Sequence, residues 1–192
     1  MVNMKSGAVR ACIAAIVAAG SLGLGGCQTG SPACCAADSS YTVARADADR
    51  ALLGKLVGDW RFEGSWSENG GATNNVTGRA AGVLVNNYFV MMDVQTTSGQ
   101  LSGRTSRDEG SILFATEPGM GMTISAWGDA SPAITRLIGR AENGGSVLEY
   151  RAANSAGSAA SVVVRFENEN RLTIDLTGPK GSATYRFSRV AN

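Results

Sequence analysis

From Trp60 to the end of the chain, apolar side chains return at every second residue in short runs, and each run stops at a cluster of turn-forming residues. A period of two places successive side chains on opposite faces of a strand. Trp60, Phe62, Gly64 and Trp66 thus share one face, with Arg61, Glu63, Ser65 and Ser67 on the other. Further runs cover Val76 to Val85, Tyr88 to Thr96, Leu101 to Arg107, Ser111 to Thr116, Met122 to Trp127, Ile134 to Arg140, Val147 to Ala152, Ser161 to Glu167, Leu172 to Leu176 and Ala183 to Val190. Between them stand Asn69-Gly70-Gly71, Asn86-Asn87, Ser98-Gly99, Pro118-Gly119, Asn143-Gly144-Gly145, Asn168 to Asn170 and Gly178-Pro179-Lys180-Gly181, which favour tight reversals. No stretch among them is long and helical enough for a parallel crossover, so neighbours in sequence pair antiparallel. The pattern predicts an all-β domain: an antiparallel up-and-down β-barrel of about ten strands, with a short N-terminal helix. A two-sheet sandwich is the alternative, but sequential hairpins favour closure, which removes the exposed edges.

The helix is read from Ala46-Asp47-Ala48-Asp49-Arg50-Ala51 followed by Leu52, Leu53, Leu56 and Val57, whose spacing of three and four makes one apolar face. Asp47 and Asp49 suit its positive front end and Gly58 its close, while Gly54 weakens its interior. Ahead of it, residues 28 to 44 are mostly small and polar, a composition that buries too little surface to fold and reads as a tether. The chain opens with Lys5 and Arg10 and the apolar run Ala11 to Ala19, then small residues, the layout of a secretory signal too short to span a bilayer. At its end Leu24-Gly25-Gly26-Cys27 resembles the lipobox of bacterial lipoproteins, in which the cysteine is acylated and becomes the new N-terminus. The alternatives are an ordinary signal with a chance cysteine, or a buried apolar helix. The organisation expected is a signal peptide over 1–26, a tether over 27–45 and a barrel domain over 46–192. The resemblance implies a lipid anchor at Cys27 and an address in the cell envelope. In a Gram-negative cell, Gln28 rather than Asp after the cysteine implies the outer membrane.

Charge and residue types exclude several functions. The full chain carries 17 basic and 16 acidic residues; without Lys5 and Arg10 the basic count falls to 15, a near-neutral balance with no footprint for a nucleic-acid partner. Histidine is absent, which removes His-based triads, His-ligated zinc and proximal-His haem. Of four cysteines, Cys12 leaves with the signal and Cys27 takes the lipid, so only the adjacent Cys34 and Cys35 remain, in the tether. Neighbours in sequence are poorly placed to bridge each other, and a lone pair without further ligands is a weak metal signal. No metal and no cofactor is expected.

Leu52 to Trp66, Asn86-Asn87-Tyr88-Phe89 and Ile124-Ser125-Ala126-Trp127 resemble a family of bacterial β-barrel proteins of unassigned function, the DUF1579 type, within the calycin or lipocalin-like architecture. The resemblance runs from about residue 50 to the C-terminus and implies a fold more than a chemistry. Related barrels with a haem pocket use a histidine, which this chain lacks.

An eight- to ten-strand barrel has room for side chains or one small ligand. Trp66, Tyr88, Trp127 and Arg136 are the candidate ligand-lining residues. Trp60 and Phe62 stand on the same face as Trp66, but Trp60 is expected to plug the barrel floor. Arg136 and Arg140 alternate with Leu137: inward, their guanidinium groups would suit a carboxylate or phosphate; if Leu137 marks the inner face, both meet water. Met120 and Met122 beside Pro118-Gly119 form a soft turn that would serve as a lid or as an ordinary packed hairpin tip, and of Met91 and Met92 only one can be core. Glu63, Asp93, Glu149 and Asp175 read as barrel exterior rather than an acid/base pair. Two functions follow from this pattern: a non-enzymatic envelope lipoprotein holding a small apolar molecule inside the barrel, or a structural or protein-interaction module with a filled core and an apolar exterior patch. No catalytic residues are assigned.

Overall fold

The computed structural model describes residues 43–191, apart from the connections at 69–70, 72, 87–88, 100–104, 118–120, 129–130, 153–159 and 179–180, and the side chains at 43–45, 98–99, 105–107, 128 and 131–136. The signal segment, Cys27, Cys34, Cys35 and Tyr88 lie outside the described residues, as does the side chain of Arg136.

Helix α1, Val43–Leu53, leads through a single 3-10 turn, Gly54–Leu56, into ten strands: β1 Gly58–Glu68, β2 Thr73–Val85, β3 Phe89–Gly99, β4 Thr105–Glu117, β5 Gly121–Gly128, β6 Ser131–Glu142, β7 Val147–Arg151, β8 Ser161–Asn168, β9 Arg171–Gly178 and β10 Gly181–Arg189. Each strand pairs antiparallel with the next, and β10 returns to β1 to close the barrel. That last ladder runs from Trp60 opposite Arg189 to Glu68 opposite Gly181. The expected up-and-down barrel is the observed architecture.

Two local differences have physical reasons. Of the separate runs expected at Leu101 to Arg107 and at Ser111 to Thr116, the described part of the first, from Thr105, and all of the second belong to one continuous strand over Thr105–Glu117. The polar Asp108-Glu109-Gly110 between them looks like a break in sequence, yet each residue finds a partner in β3: Asp108 opposite Thr96, Glu109 opposite Gln95 and Gly110 opposite Val94. Helix α1 starts at Val43, inside the stretch expected to be tether, and buries Ala46, Asp49 and Leu53. The tight turn after it then brings Leu56 to the core while leaving Leu52 and Val57 half-buried.

Alternation is kept around the ring. Trp60, Phe62 and Trp66 are buried while Arg61 and Glu63 are exposed. In β9, Leu172, Ile174 and Leu176 point in, and in β10 Ala183, Tyr185 and Phe187 do the same. Met92 is fully buried and Met91 half-buried, and Met122 is core, so the soft-turn reading reduces to Met120, outside the described residues.

Candidate ligand site inside the barrel

Connectivity gives the barrel two unlike ends. The chain enters β1 at the end that carries the β2–β3, β4–β5, β6–β7 and β8–β9 connections, and it leaves β10 there too. Helix α1 packs against β3, β4 and β5 at this end. Leu53 and Leu56 are wholly buried in the core. Two glycines let the plug sit close: a Cβ on Gly82 would come within 2.1 Å of the Leu56 carbonyl oxygen, and one on Gly145 within 2.4 Å of the Leu52 side chain. Gly145 also needs its φ of +83°, which glycine adopts without strain.

Trp60 is the centre of the plug. It is 1% exposed, and its indole Nε1 donates to the Leu56 carbonyl at 3.0 Å, satisfying the one polar atom that its burial removes from water. The Arg189 guanidinium lies 4.2 Å from its ring centroid. The same guanidinium donates to the carbonyls of Val57, Lys55 and Glu169. One side chain from the last strand therefore fastens the 3-10 turn, the start of β1 and the β8–β9 turn. Sequence reasoning placed Trp60 at the floor but missed Arg189, whose partners Lys55 and Val57 lie more than 130 residues away.

Above this floor the rings are close-packed. Phe62 meets Phe187 at 4.9 Å between centroids and Tyr185 edge-on at 5.8 Å, and Phe114 meets Tyr150 edge-on at 6.1 Å. Three rings lie over glycines of neighbouring strands: Phe62 over Gly78, Tyr185 over Gly64 and Tyr150 over Gly139, each so close that a Cβ would collide at 2.5 Å or less. The glycines thus provide the width that the aromatic rings occupy.

Toward the far end the inward side chains shrink and turn polar. The positions nearest that rim are Asn74 on β2, Thr96 on β3, Asp108 and Gly110 on β4, Ala126 on β5, Ala152 beyond β7, Ala160 before β8 and Ala183 on β10, with Trp66 of β1 and Leu176 of β9 the large exceptions. Thr96 is buried and its hydroxyl donates to the Asp108 carbonyl at 3.3 Å; one oxygen of the Asp108 carboxylate is shielded from solvent. Among the described residues no helix crosses this end. Small residues around one aromatic, with a polar strip on β2 to β4, form a setting that accepts an apolar body with a polar edge.

The candidates named from sequence divide. Trp66 is buried at the far end, with Ala183 on one side and Asn74 on the other. Trp127 is half-buried and alternates with the inward Ala126, which puts it on the opposite face, across from Ser111. Leu137 is buried and Arg140 exposed, so Leu137 marks the inner face of β6. The structure therefore shows one of the four proposed lining residues, Trp66, in the interior. Asp108 and its partner Thr96 went unnoticed because the two β4 runs were read as separate strands, and Asn74 because β2, which starts at Thr73, was expected to start at Val76.

The exterior takes the charges. Asp175 pairs with Arg165 and accepts the Thr184 hydroxyl, Glu149 pairs with Arg151, Asp93 accepts the Ser111 hydroxyl, and Glu63 is exposed. The Glu149 carboxylate, by hydrogen bond and charge, holds the Arg151 guanidinium above its usual range. Grooves of 370 to 570 Å³ lie along the wall around Arg61, two of them also bordered by Arg79.

No protein-family model matches the chain, and no curated protein matches it. Solved structures do. The crystal structure of Rv2717c from M. tuberculosis aligns with a TM-score of 0.55 at 13% identity, over 74% of this chain and 98% of that one. An S-type phycobiliprotein lyase from Guillardia theta aligns at 0.49 and 11% identity, over 74% and 92%. A designed fluorescence-activating β-barrel aligns at 0.41 and 8%, over 72% and 97%. The likeness to Rv2717c shows the fold: this is a lipocalin-like barrel.

Proposed function

We propose that this protein is an envelope lipoprotein of the DUF1579 type, anchored through Cys27, whose barrel takes up a small, largely apolar molecule through the end opposite helix α1. The observation that carries the reading is the gradient inside the barrel. Trp60, Phe62, Phe114, Tyr150 and Phe187 fill the plugged half, while in the other half Trp66 and Leu176 stand among alanine, glycine and a polar strip. A core that served stability alone would carry bulk to both ends, because each unfilled methylene forfeits contacts. Trp66 supplies a flat apolar wall, and Asn74, Thr96 and Asp108 supply orientation for one polar edge of the guest.

The test is titration of the mature chain with an anilinonaphthalene fluorophore, alongside Ala183→Phe. Ala183 neighbours Trp66 across the β1–β10 ladder, so the added ring occupies the same space. Saturable one-to-one binding in the parent, lost in the folded A183F variant, supports the reading. Binding that A183F leaves intact places the fluorophore elsewhere, and an A183F chain that fails to fold shows a filled core; either result sinks the proposal. Electrospray mass of the purified protein checks the anchor separately, through the acyl mass on Cys27.

A further inference from the structure

The outer wall breaks its polar rule in one place. On β9, β10 and β1 the outward positions are Thr173, Asp175, Ser182, Thr184, Arg186, Ser188, Arg61 and Glu63. On β2, β3 and β4, next to the plugged end, they are Val83, Met91 and Leu113 in one row and Val85, Phe89 and Ala115 in the next. Their neighbours on the inner face, Val90, Met92, Ile112 and Phe114, are buried, so the register directs both rows outward. Val83 is 46% exposed, and Leu84, which pairs with the inward Val90 and so stands at the rim of the plugged end rather than in these rows, is 45% exposed. They are the most exposed large apolar side chains among the described residues, and the rest of the two rows are half-buried. Exposed apolar side chains set singly need no explanation, but two adjoining apolar rows beside an exposed rim leucine do. They serve no sheet edge, because the barrel has none.

We infer that Val83, the rim residue Leu84 and the two apolar rows rest on the interfacial region of a lipid bilayer, holding the plugged end toward the membrane and the far end away from it. The inference depends on the anchor reading of Cys27. Residues 28–42, the link between Cys27 and helix α1, number 15. Fully extended they reach about 50 Å, and they join the domain at the end that carries the apolar rows. Tethering makes contact with the bilayer an intramolecular event, so a modest apolar area suffices where a free protein would need far more. The two rows carry no charge; of the carboxylates that border them, Asp93 and Glu117 are engaged by Ser111 and Thr123, and Asp59 stands exposed beside Ala81. That fits the apolar–polar boundary of a lipid layer rather than a charged headgroup, and it makes the contact insensitive to salt.

The experiment uses the mature acylated chain reconstituted in phosphatidylcholine vesicles, with and without brominated acyl chains, comparing Leu84→Trp with Thr177→Trp on the exposed far-end part of β9. Bilayer contact predicts blue-shifted L84W emission that loses most of its added intensity to bromine, unchanged in high salt, while T177W keeps its intensity. Equal, weak quenching of L84W and T177W in acylated protein overturns the docking face alone. Crosslinking between copies that rises with protein-to-lipid ratio and shields L84W identifies a second copy as the occupant and overturns it too. Absence of acyl mass on Cys27 removes the anchor reading and with it this one.

Discussion

The two ends of this barrel solve opposite problems with the same ladder. At the plugged end, Trp60 is enclosed by Leu56 and Arg189, its indole nitrogen is satisfied, and glycines at 82 and 145 let the helix and turn press against the sheet. At the far end, Trp66 stands on the same strand and the same face and is also buried, yet its cross-strand neighbours are Ala183 and Asn74. The difference teaches that burial by itself does not distinguish a structural aromatic from one that lines a site; the size and polarity of what surrounds it does.

Paired truncations are the direct way to break that comparison. Trp60→Ala should cost about 3–5 kcal/mol in urea unfolding, the range for emptying a packed aromatic site. Removing its partner is the next largest effect: Arg189→Leu should cost about 2–3 kcal/mol, because the carbonyls of Lys55, Val57 and Glu169 lose a charged donor. A loss below about 1 kcal/mol would show that the clamp is decorative. The smallest stability change belongs to Trp66→Ala, under about 2 kcal/mol if the side chain already borders open space; its signature is instead a roughly tenfold weaker fluorophore affinity. Should W66A prove as costly as W60A, both ends are packed alike and the ligand reading loses its support.

Much of the fold was legible because a half-buried strand writes its two faces directly into the sequence. Trp60, Phe62 and Trp66 could be assigned inward, and Glu63 and Asp93 outward, from period two. Closure was legible from the short turns, since no connection was long enough for anything but a neighbour. The site was less so. Asp108-Glu109-Gly110 looked like a break and is mid-strand, because a polar residue facing into a barrel beside Thr96 has the same local signature as a turn. Trp127 was read as lining the interior, yet it stands across from the face of Ala126, and neither residue alone states its parity once the strand mixes apolar side chains on both faces.

The sequence by itself determined the antiparallel direction and the approximate number of the strands, the floor position of Trp60 and the exclusion of histidine chemistry, because these rest on local periodicity and residue type. Tertiary structure alone decided which glycine lies beneath which ring, that Arg189 closes the floor, that inward side chains dwindle toward one end, and that Val83, Met91 and Leu113 align into one apolar row. Each of these depends on register between strands, and register is set by the sum of weak contacts around the closed ring rather than by any segment's own pattern.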